Sequence, residues 1–401
     1  MEQTSTLTIG ALKEALPGER RVAITPPVVA GYVKAGFRVL VEAGAGTSAG
    51  FADQAYVDRG AEIVSRDAAL AADVLAAVRV LDGDPDSPDR ERLRPGQVVI
   101  GMAAPLAAPE VAAAVAARGA VLYALELLPR TTRAQSMDVL SSQANIAGYK
   151  AMLLAAAELP KMAPMLTTAA GTIAPAKVFV IGAGVAGLSA IATARRLGAV
   201  VEAYDVRTAV KEEVESLGAR FVELPLETGQ EGSGSGAYAT QMSEEQIARQ
   251  RELMTRTVAG SDVVITTAQV QGKKAPVLVT KEMVAAMSPG SVIVDLAAEQ
   301  GGNCEGSEPG RIVDVGGVRI LGPTNVPATV PYDASLTYAK NIANFVALIV
   351  RDEALHLDVD DAIVQATVTT HDGRVVHPRV REALGLEPLP APPKPTAPAA
   401  T

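Results

Sequence analysis

Short apolar runs alternate with helix-like patterns through most of this 401-residue chain. In the N-terminal third, the patterns predict two strands around a helix, followed by a strand, an alanine-rich helix and another strand. The predicted elements are Leu7–Leu12, a helix from about Pro27 to Ala35, Arg38–Glu42, Gln97–Gly101, Pro109–Arg118 and Ala120–Leu125. Strands that alternate with helices favour a parallel α/β sheet.

A long helical pattern, from Val139 to about Glu158, leads into a second series of apolar strands. A helix of this length is sufficient to span two domains. The strands of the second series are Val178–Ile181, Val200–Tyr204, Arg220–Val222, Val263–Thr266, Ser291–Asp295 and Arg319–Leu321. Their order predicts a doubly wound sheet, in which a ligand binds at the carboxyl ends of the strands.

An apolar helix, Ala334–Val350, and a hairpin around Asp372–Gly373 follow the second series and do not fit its repeat. We expect both to return to the first domain. The predicted fold is α/β, with two Rossmann-like doubly wound parallel-sheet domains joined by long helices. The first is expected to comprise residues 1–140 and 330–385 and the second residues 141–329, with residues 386–401 forming a flexible Pro/Ala-rich tail.

A glycine-rich turn, GAGVAG, stands between the first strand of the second series and the helix that follows it. Gly182 allows a tight turn, Gly184 lets the backbone approach a pyrophosphate, and Gly187 lets helix and strand pack closely. The helix N-terminus adds free N–H groups and a positive dipole. The turn therefore predicts a dinucleotide site, and the alternative is an ordinary glycine-rich turn of an α/β domain.

Asp205 follows the next strand, at the distance from the glycine turn at which an acid binds the adenosine ribose. An acid at this position repels a 2′-phosphate, so the site is predicted to bind NAD rather than NADP. Arg207, two residues further on, keeps NADP open as an alternative.

The composition narrows the classes of partner. With 48% hydrophobic and 3% aromatic residues, the chain resembles an Ala/Val/Gly-rich α/β protein, and its formal charge of −9 disfavours nucleic acid and anionic membranes as direct partners. The single cysteine, Cys304, excludes an internal disulfide framework and fits a reducing cytoplasm. Because no signal peptide or apolar run of about 18 residues is found, we expect membrane association only through a partner.

Candidates for acid–base, nucleophilic or metal chemistry are few. The three histidines, His356, His371 and His377, lie in the C-terminal region without a Cys or carboxylate cluster, so no metal site is expected. Cys304 has no histidine at a spacing that would activate it, and is interpreted as a loop residue.

The polar stretch LPRTTRAQSMDVLSS precedes the long helix and is expected to lie at the domain crevice. Asp138 suits a helix N-cap with Ser141 in the first turn. Arg130, Arg133 and Gln135 fit a solvated loop or a ligand site equally well, and their residue types alone leave both interpretations open.

A further loop, Thr228–Ala239, is rich in glycine and serine and carries Tyr238 near its end. A glycine-rich loop with an aromatic tip can fold over a bound ligand. Composition alone leaves this lid and an ordinary surface loop equally open.

Together, these motifs identify a known family. Over nearly its full length the chain resembles the NAD(H)-binding alpha component, domain I, of proton-translocating NAD(P) transhydrogenase. The motifs that carry the resemblance are RAQSMDVLSSQANIAGY, GAGVAGLSA, AYA around Tyr238 and PGSVIVDLAAEQGGNCEGSEPG.

The resemblance implies roles for individual residues. It places Arg130, Gln135, Asp138 and Ser141 against the nicotinamide and its ribose, with the arginine and aspartate orienting the ring and the glutamine reaching toward the second nucleotide. The other implied NAD(H)-binding residues are Gly182, Gly184, Val185, Ala186, Gly187, Asp205, Val206, Arg207, Tyr238, Gln250 and Gln269. Two positions depart from the family pattern: Gln269 replaces an apolar residue, and Ala237 stands where glycine is expected.

The resemblance also implies partners. The chain is expected to form a homodimer at the cytoplasmic face of the inner membrane, bound to membrane-spanning subunits that translocate protons and to a component that carries NADP(H). No nucleic-acid partner and no direct membrane insertion are expected.

Two alternative functions remain. Alanine dehydrogenase shares the architecture and the RVAITP-like motif, and Arg21 matches its substrate-carboxylate arginine. However, its catalytic lysine maps to Ala77 or Arg79 and its catalytic histidine to about Ala104. The other alternative is a catalytically idle NAD(H)-sensing module.

Overall fold

The computed structural model describes residues 6–223, 244–269, 272–351, 354–357 and 360–389. The chain divides into two compact α/β units. Unit 1 comprises Met1–Ser142 and Pro331–Thr401, and unit 2 comprises Gln143–Val330.

The elements are numbered in chain order. The strands are β1 (Thr8–Ala11), β2 (Arg38–Glu42), β3 (Glu62–Val64), β4 (Val74–Arg79), β5 (Val98–Met102), β6 (Val121–Ala124), β7 (Leu166–Thr168), β8 (Gly171–Ile173), β9 (Lys177–Ile181), β10 (Val200–Tyr204), β11 (Arg220–Phe221), β12 (Val263–Thr266), β13 (Val292–Asp295), β14 (Ile312–Val315), β15 (Val318–Leu321), β16 (Val350–Arg351), β17 (Ala354–Leu355), β18 (Val368–His371) and β19 (Arg374–Val375). The helices are α1 (Pro26–Lys34), α2 (Asp53–Val57), α3 (Arg66–Leu70), α4 (Pro109–Ala117), α5 (Val139–Glu158), α6 (Val185–Arg196), α7 (Lys211–Ser216), α8 (Glu244–Ala259), α9 (Lys281–Ala285), α10 (Pro331–Ile349), α11 (Ala362–Thr367) and α12 (Pro378–Ala383).

The sheet of unit 1 has the order β19-β18-β6-β5-β4-β1-β2-β3. Strands β1 to β6 run parallel in the arrangement of a doubly wound fold, with β1 and β4 at the point where the chain reverses direction across the sheet. The β18–β19 hairpin, which turns at Asp372–Gly373, extends this sheet antiparallel to β6.

The sheet of unit 2 has the order β11-β10-β9-β12-β13-β15-β14. All neighbouring pairs are parallel except β14 and β15. The six strands from β11 to β15 in this order therefore repeat the doubly wound arrangement, and the chain reverses direction across the sheet between β9 and β12. The predicted α/β fold class is therefore confirmed in both units.

The central parallel strands of the two large sheets are buried on both faces, as expected for parallel strands between helices. Along β9, Val178 and Val180 enter one hydrophobic cluster and Phe179 and Ile181 enter the other. Because successive side chains of a strand point to opposite faces, a continuous apolar run supplies both cores.

Candidate functional site

The glycine turn of unit 2 adopts a conformation that requires glycine at its first position. Gly182 directly follows β9 and has a φ of 98°, in the left-handed region, and a Cβ atom there would lie 2.5 Å from Thr267 Oγ1. Thr267 Oγ1 in turn donates to the Gly182 carbonyl over 3.0 Å. The turn is therefore fixed by the residue that directly follows β12, a contact that the sequence did not predict.

The other two glycines of the turn serve different purposes. A Cβ atom at Gly187 would lie 1.8 Å from the Gly182 carbonyl oxygen, so this glycine allows the helix to pack on the turn. A Cβ atom at Gly184 would meet nothing within 4 Å. Gly184 is the N-cap of α6, and no side chain of the cap accepts from the first-turn N–H groups. This cradle fits a pyrophosphate.

Asp205 lies directly beside the turn. Its Oδ2 accepts from the Ala183 N–H over 2.8 Å and from Arg207 Nη2 over 3.0 Å, while its Oδ1 accepts from Arg207 N and Nε. Burial by itself raises the pKa of Asp205, but the hydrogen bonds from Arg207 and Ala183 outweigh burial and hold the pKa below its usual value. The carboxylate is therefore ionised and already paired within the chain.

Apolar side chains are exposed around this turn. Val206 is 75% exposed and Val185, the first residue of α6, is also exposed, while Ala186 is half-buried. Exposed valines next to a buried carboxylate offer a flat ring system an apolar surface. The structure thus brings together all the predicted binding residues from Gly182 to Arg207.

The predicted residues Arg130, Gln135, Asp138 and Ser141 lie in unit 1, on what we call the Arg130–Ser141 loop. The loop contains a 3-10 turn, Thr132–Met137, and then enters α5. Arg130 and Gln135 are exposed, whereas Ala134 and Met137 are buried in the hydrophobic core of unit 1. The buried pair makes the turn display Gln135 outward.

Asp138 caps α5, as its sequence position predicts. Its Oδ1 accepts from the Ser141 N–H over 2.9 Å and its Oδ2 from Ser141 Oγ over 2.6 Å. A carboxylate that bonds the N3 backbone amide of a helix is an ordinary N-cap. The cap holds Asp138 in one orientation and leaves lone pairs on both oxygens for a further donor.

The remaining predicted binding residues are Gln250, Gln269 and Tyr238. Gln269 is exposed, and its Nε2 donates to the Leu296 carbonyl over 2.6 Å, so this side chain secures a neighbouring loop. Gln250 belongs to α8. Its side chain, the loop Thr228–Ala239 and Tyr238 lie outside the described residues.

A buried polar network next to the turn was not predicted. Asp295, at the end of β13, accepts from Thr266 Oγ1 and from the Ala297, Asn303 and Cys304 N–H groups. Asn303 bonds both backbone groups of Ala268, which follows Thr267. The only sequence signal for this network is an acid directly after the apolar run of β13.

Cys304 has the properties of a loop residue. It is buried, and burial raises the pKa of its thiol to about 12. Because the thiolate is the nucleophilic form, the thiol is inert at neutral pH. Within the described ranges, no group of three or more His, Cys, Asp or Glu side chains is placed to hold a metal ion.

A glycine turn between a strand and a helix, with an acid beside it, in a chain of two doubly wound α/β units, is the arrangement typical of the class of dinucleotide-binding proteins. Two family models cover the chain: "Alanine dehydrogenase/PNT, N-terminal domain" matches residues 10–147, and "Alanine dehydrogenase/PNT, C-terminal domain" matches residues 151–378. The chain therefore belongs to the alanine dehydrogenase/PNT family. Within that family, it is a component of NAD(P) transhydrogenase, of the alpha-subunit type.

Individual relatives support this assignment. An alpha-subunit chain of the NAD(P) transhydrogenase of Rhodospirillum rubrum is 48% identical over 377 residues, which cover 93% of this chain and 98% of that one. A crystal structure of transhydrogenase from Sinorhizobium meliloti, 47% identical, superposes with a TM-score of 0.83 and covers 92% of this chain and 100% of that chain. Alanine dehydrogenase of Bacillus subtilis is more distant, with 28% identity over 96% of this chain and 97% of that one.

Of the helices in the described part of the chain, none is both long and apolar enough to cross a membrane.

Proposed function

We propose that this chain binds NAD(H) and exchanges hydride with NADP(H) held by a separate protein component. The observation that carries the proposal is the turn at Gly182, Gly184 and Gly187, which leaves an open cradle at the α6 N-terminus beside the ionised Asp205. The pyrophosphate would bind at the cradle, the adenosine at Asp205, Val206 and Arg207, and the nicotinamide at the Arg130–Ser141 loop. Tyr238 would close on the nucleotide, with Gln250 and Gln269 near it.

Hydride exchange between two nicotinamides needs no proton transfer at the reacting carbons, and the chain's own residues would act by positioning and by excluding water. Asp138, fixed by its cap, would orient the ring together with Arg130. Gln135 is exposed on the same Arg130–Ser141 loop and would reach toward the second nucleotide. This chemistry explains why a site without a histidine suffices.

The proposal extends to the assembly. Membrane-spanning subunits would couple hydride exchange to proton translocation, and the chain would lie with them at the cytoplasmic face of the inner membrane. The relatives named as transhydrogenase alpha subunits support one part of this proposal, that the chain belongs to a multi-subunit enzyme.

The arrangement around Arg21 argues against an amino-acid substrate. Arg21 is 3% exposed, and its guanidinium bonds both carboxylate oxygens of Glu19, over 2.8 and 2.6 Å. The lysine of alanine dehydrogenase maps to Ala77 or Arg79 and its histidine to about Ala104. Alanine has no acid or base, and an arginine side chain stays protonated and cannot serve as a base. An alanine-dehydrogenase-like reaction would therefore lack the lysine and the histidine that transfer protons. Its substrate carboxylate would also find Arg21 already bound to Glu19.

Reconstitution tests the proposed function. The purified chain should oxidise NADH only when the NADP(H)-binding component and NADP+ are present, and it should bind NADH without that component. Oxidation of NADH by the chain alone, with pyruvate and ammonia, would instead establish an alanine dehydrogenase. Binding of NADH without turnover in either mixture would establish a sensor.

Replacing Asp205 by Asn is expected to raise the Kd for NADH about tenfold, because a charged acceptor of the ribose hydroxyls is lost. The change should also narrow the preference for NADH over NADPH, since the acid that repels a 2′-phosphate is gone and Arg207 is released. Calorimetric titration with both nucleotides measures the two effects. The additional change Arg207→Ala should remove the gain for NADPH, and an unchanged preference in Asp205→Asn would contradict the assignment.

The β7–β8 hairpin supports the proposal of a homodimer. Leu166 and Ile173 are paired on one face and are 39% and 44% exposed, and an isolated two-stranded hairpin is marginally stable in water. Most soluble oligomers are homo-oligomers, and twofold dimers are the commonest of these.

Sedimentation tests the dimer. The wild-type chain should give twice the 41.2 kDa chain mass, and the double variant Leu166→Lys with Ile173→Lys should give monomers. The matched pair on the opposite face, Thr167→Lys with Thr172→Lys, should stay dimeric; a monomeric wild type would refute the dimer.

A further inference from the structure

Two side chains of α10 hold the Arg130–Ser141 loop through one backbone carbonyl. Asn341 Nδ2 donates to the Ser136 oxygen over 2.9 Å, and Asn344 Nδ2 donates to the same oxygen over 2.8 Å. Residues three apart lie on the same face of a helix, so both amides approach this carbonyl from one side. A carbonyl oxygen has two lone pairs, and here both are directed to α10.

Asn341 also holds the other side of Asp138. Ser142 Oγ donates to Asn341 Oδ1 over 2.7 Å. A single amide therefore bonds the chain two residues before Asp138 and four residues after it. Asn341 is only 8% exposed, so water competes weakly for these hydrogen bonds.

Apolar packing supports the same attachment. Ala134 and Met137, which flank Gln135 in the 3-10 turn, are buried in the core that also contains Tyr338, Ile342 and Phe345 of α10. The loop is thus attached to one helix by packing and by polar bonds. The side chains on the outer side of the loop, including Gln135, are exposed.

We propose that Asn341, assisted by Asn344, is a positioning residue for hydride exchange: it fixes the backbone that carries Gln135 and Asp138. The inference rests on the proposed function, because it concerns the geometry of that site. Neither asparagine needs to touch a nucleotide. Its effect comes through the loop, since a displacement of about 1 Å at a reacting group can slow a reaction by about 100-fold.

The isosteric change Asn341→Asp tests the donor separately from side-chain volume. The carboxylate still accepts from Ser142 but places an oxygen against the Ser136 carbonyl, where Nδ2 donated before. We expect hydride exchange in the reconstituted complex to slow about tenfold, while the Kd for NADH of the isolated chain changes by less than about threefold. Asn344→Ala should slow hydride exchange less than Asn341→Asp does. The double change, Asn341→Asp with Asn344→Ala, should slow it by more than the product of the two separate factors, because both amides bond the same carbonyl.

Lys340→Ala, at an exposed position of the same helix, is the matched control and should behave as wild type. Should the asparagine variants fail to fold, Ser142→Ala removes the hydrogen bond to Asn341 and leaves α10 intact. Hydride exchange should again slow, while the Kd for NADH should again change little. A wild-type exchange rate in Asn341→Asp, or rate, NADH affinity and melting temperature falling together, would overturn the positioning role. An inactive wild-type complex would instead refute the proposed function itself.

Discussion

Replacing Gly187 by Ala is expected to abolish NADH binding and to destabilise the unliganded chain by about 3 kcal/mol, as overpacking does at a closed contact. The new Cβ would lie 1.8 Å from the Gly182 carbonyl oxygen and 2.9 Å from its carbon, both backbone atoms that cannot rotate away. An alanine inside a helix normally gains about 1 kcal/mol over glycine, so the contact must outweigh that gain. Denaturant unfolding and NADH titration measure the two effects.

Gly184→Ala is the matched control for this experiment. Its Cβ would meet no atom within 4 Å, so the free energy of unfolding should change by no more than about 0.5 kcal/mol. The same methyl group would enter the space proposed for the pyrophosphate, and the affinity for NADH should fall about tenfold or more. Equal stability of the Gly187 and Gly184 variants would show that the helix does not depend on its close approach to the turn.

The second large effect is expected from Gln135→Asn, which shortens the side chain by one methylene and keeps its amide. Hydride exchange in the reconstituted complex should slow about 100-fold, while NADH binding to the isolated chain changes less than about threefold. Gln135 is exposed on the 3-10 turn, so the fold should not change. Stopped-flow rates and equilibrium titration separate the two quantities.

Thr132→Ala, an exposed position of the same turn, serves as the control for Gln135→Asn and should leave both quantities at the wild-type level. Equal losses of rate and NADH affinity in Gln135→Asn would contradict a positioning role, since they would indicate an interaction made equally in the ground state and the transition state.

Much of the fold could be predicted because buried parallel strands are continuous apolar runs. Val200–Tyr204 and Val263–Thr266 have the predicted bounds, and the hairpin at Asp372–Gly373 follows from its turn residues. Several missed strands are short or exposed and carry no apolar run that distinguishes them from loops: β3 has three residues, both strands of the β7–β8 hairpin are exposed, and β14 is a largely exposed antiparallel edge. The missed strand β4 is different, because it is a buried strand of six residues in the middle of the first sheet. Its sequence, VLAAVR, contains two alanines, which have a low strand propensity.

The candidate site divides in the same way. The turn at Gly182 and the cap at Asp138 depend on neighbours within a few residues, and local sequence rules describe both. Thr267, which fixes the turn, and Asn341, which fixes the loop, lie 85 and 205 residues from their partners. A side-chain amide or hydroxyl at such a distance shows no local pattern, and only the folded sheet and helix reveal what it bonds.

The β18–β19 hairpin has a consequence for the order of folding. Thr370 accepts from the Leu122 N–H and donates to the Ala120 carbonyl, so the edge of the first sheet is completed by residues synthesised about 250 positions later. All of unit 2 leaves the ribosome in between, and domains generally fold as units as they emerge. The growing chain must therefore carry β6 without β18 beside it while unit 2 is synthesised. An unpaired strand edge can pair with another chain, so this interval exposes the first sheet to aggregation until the hairpin arrives.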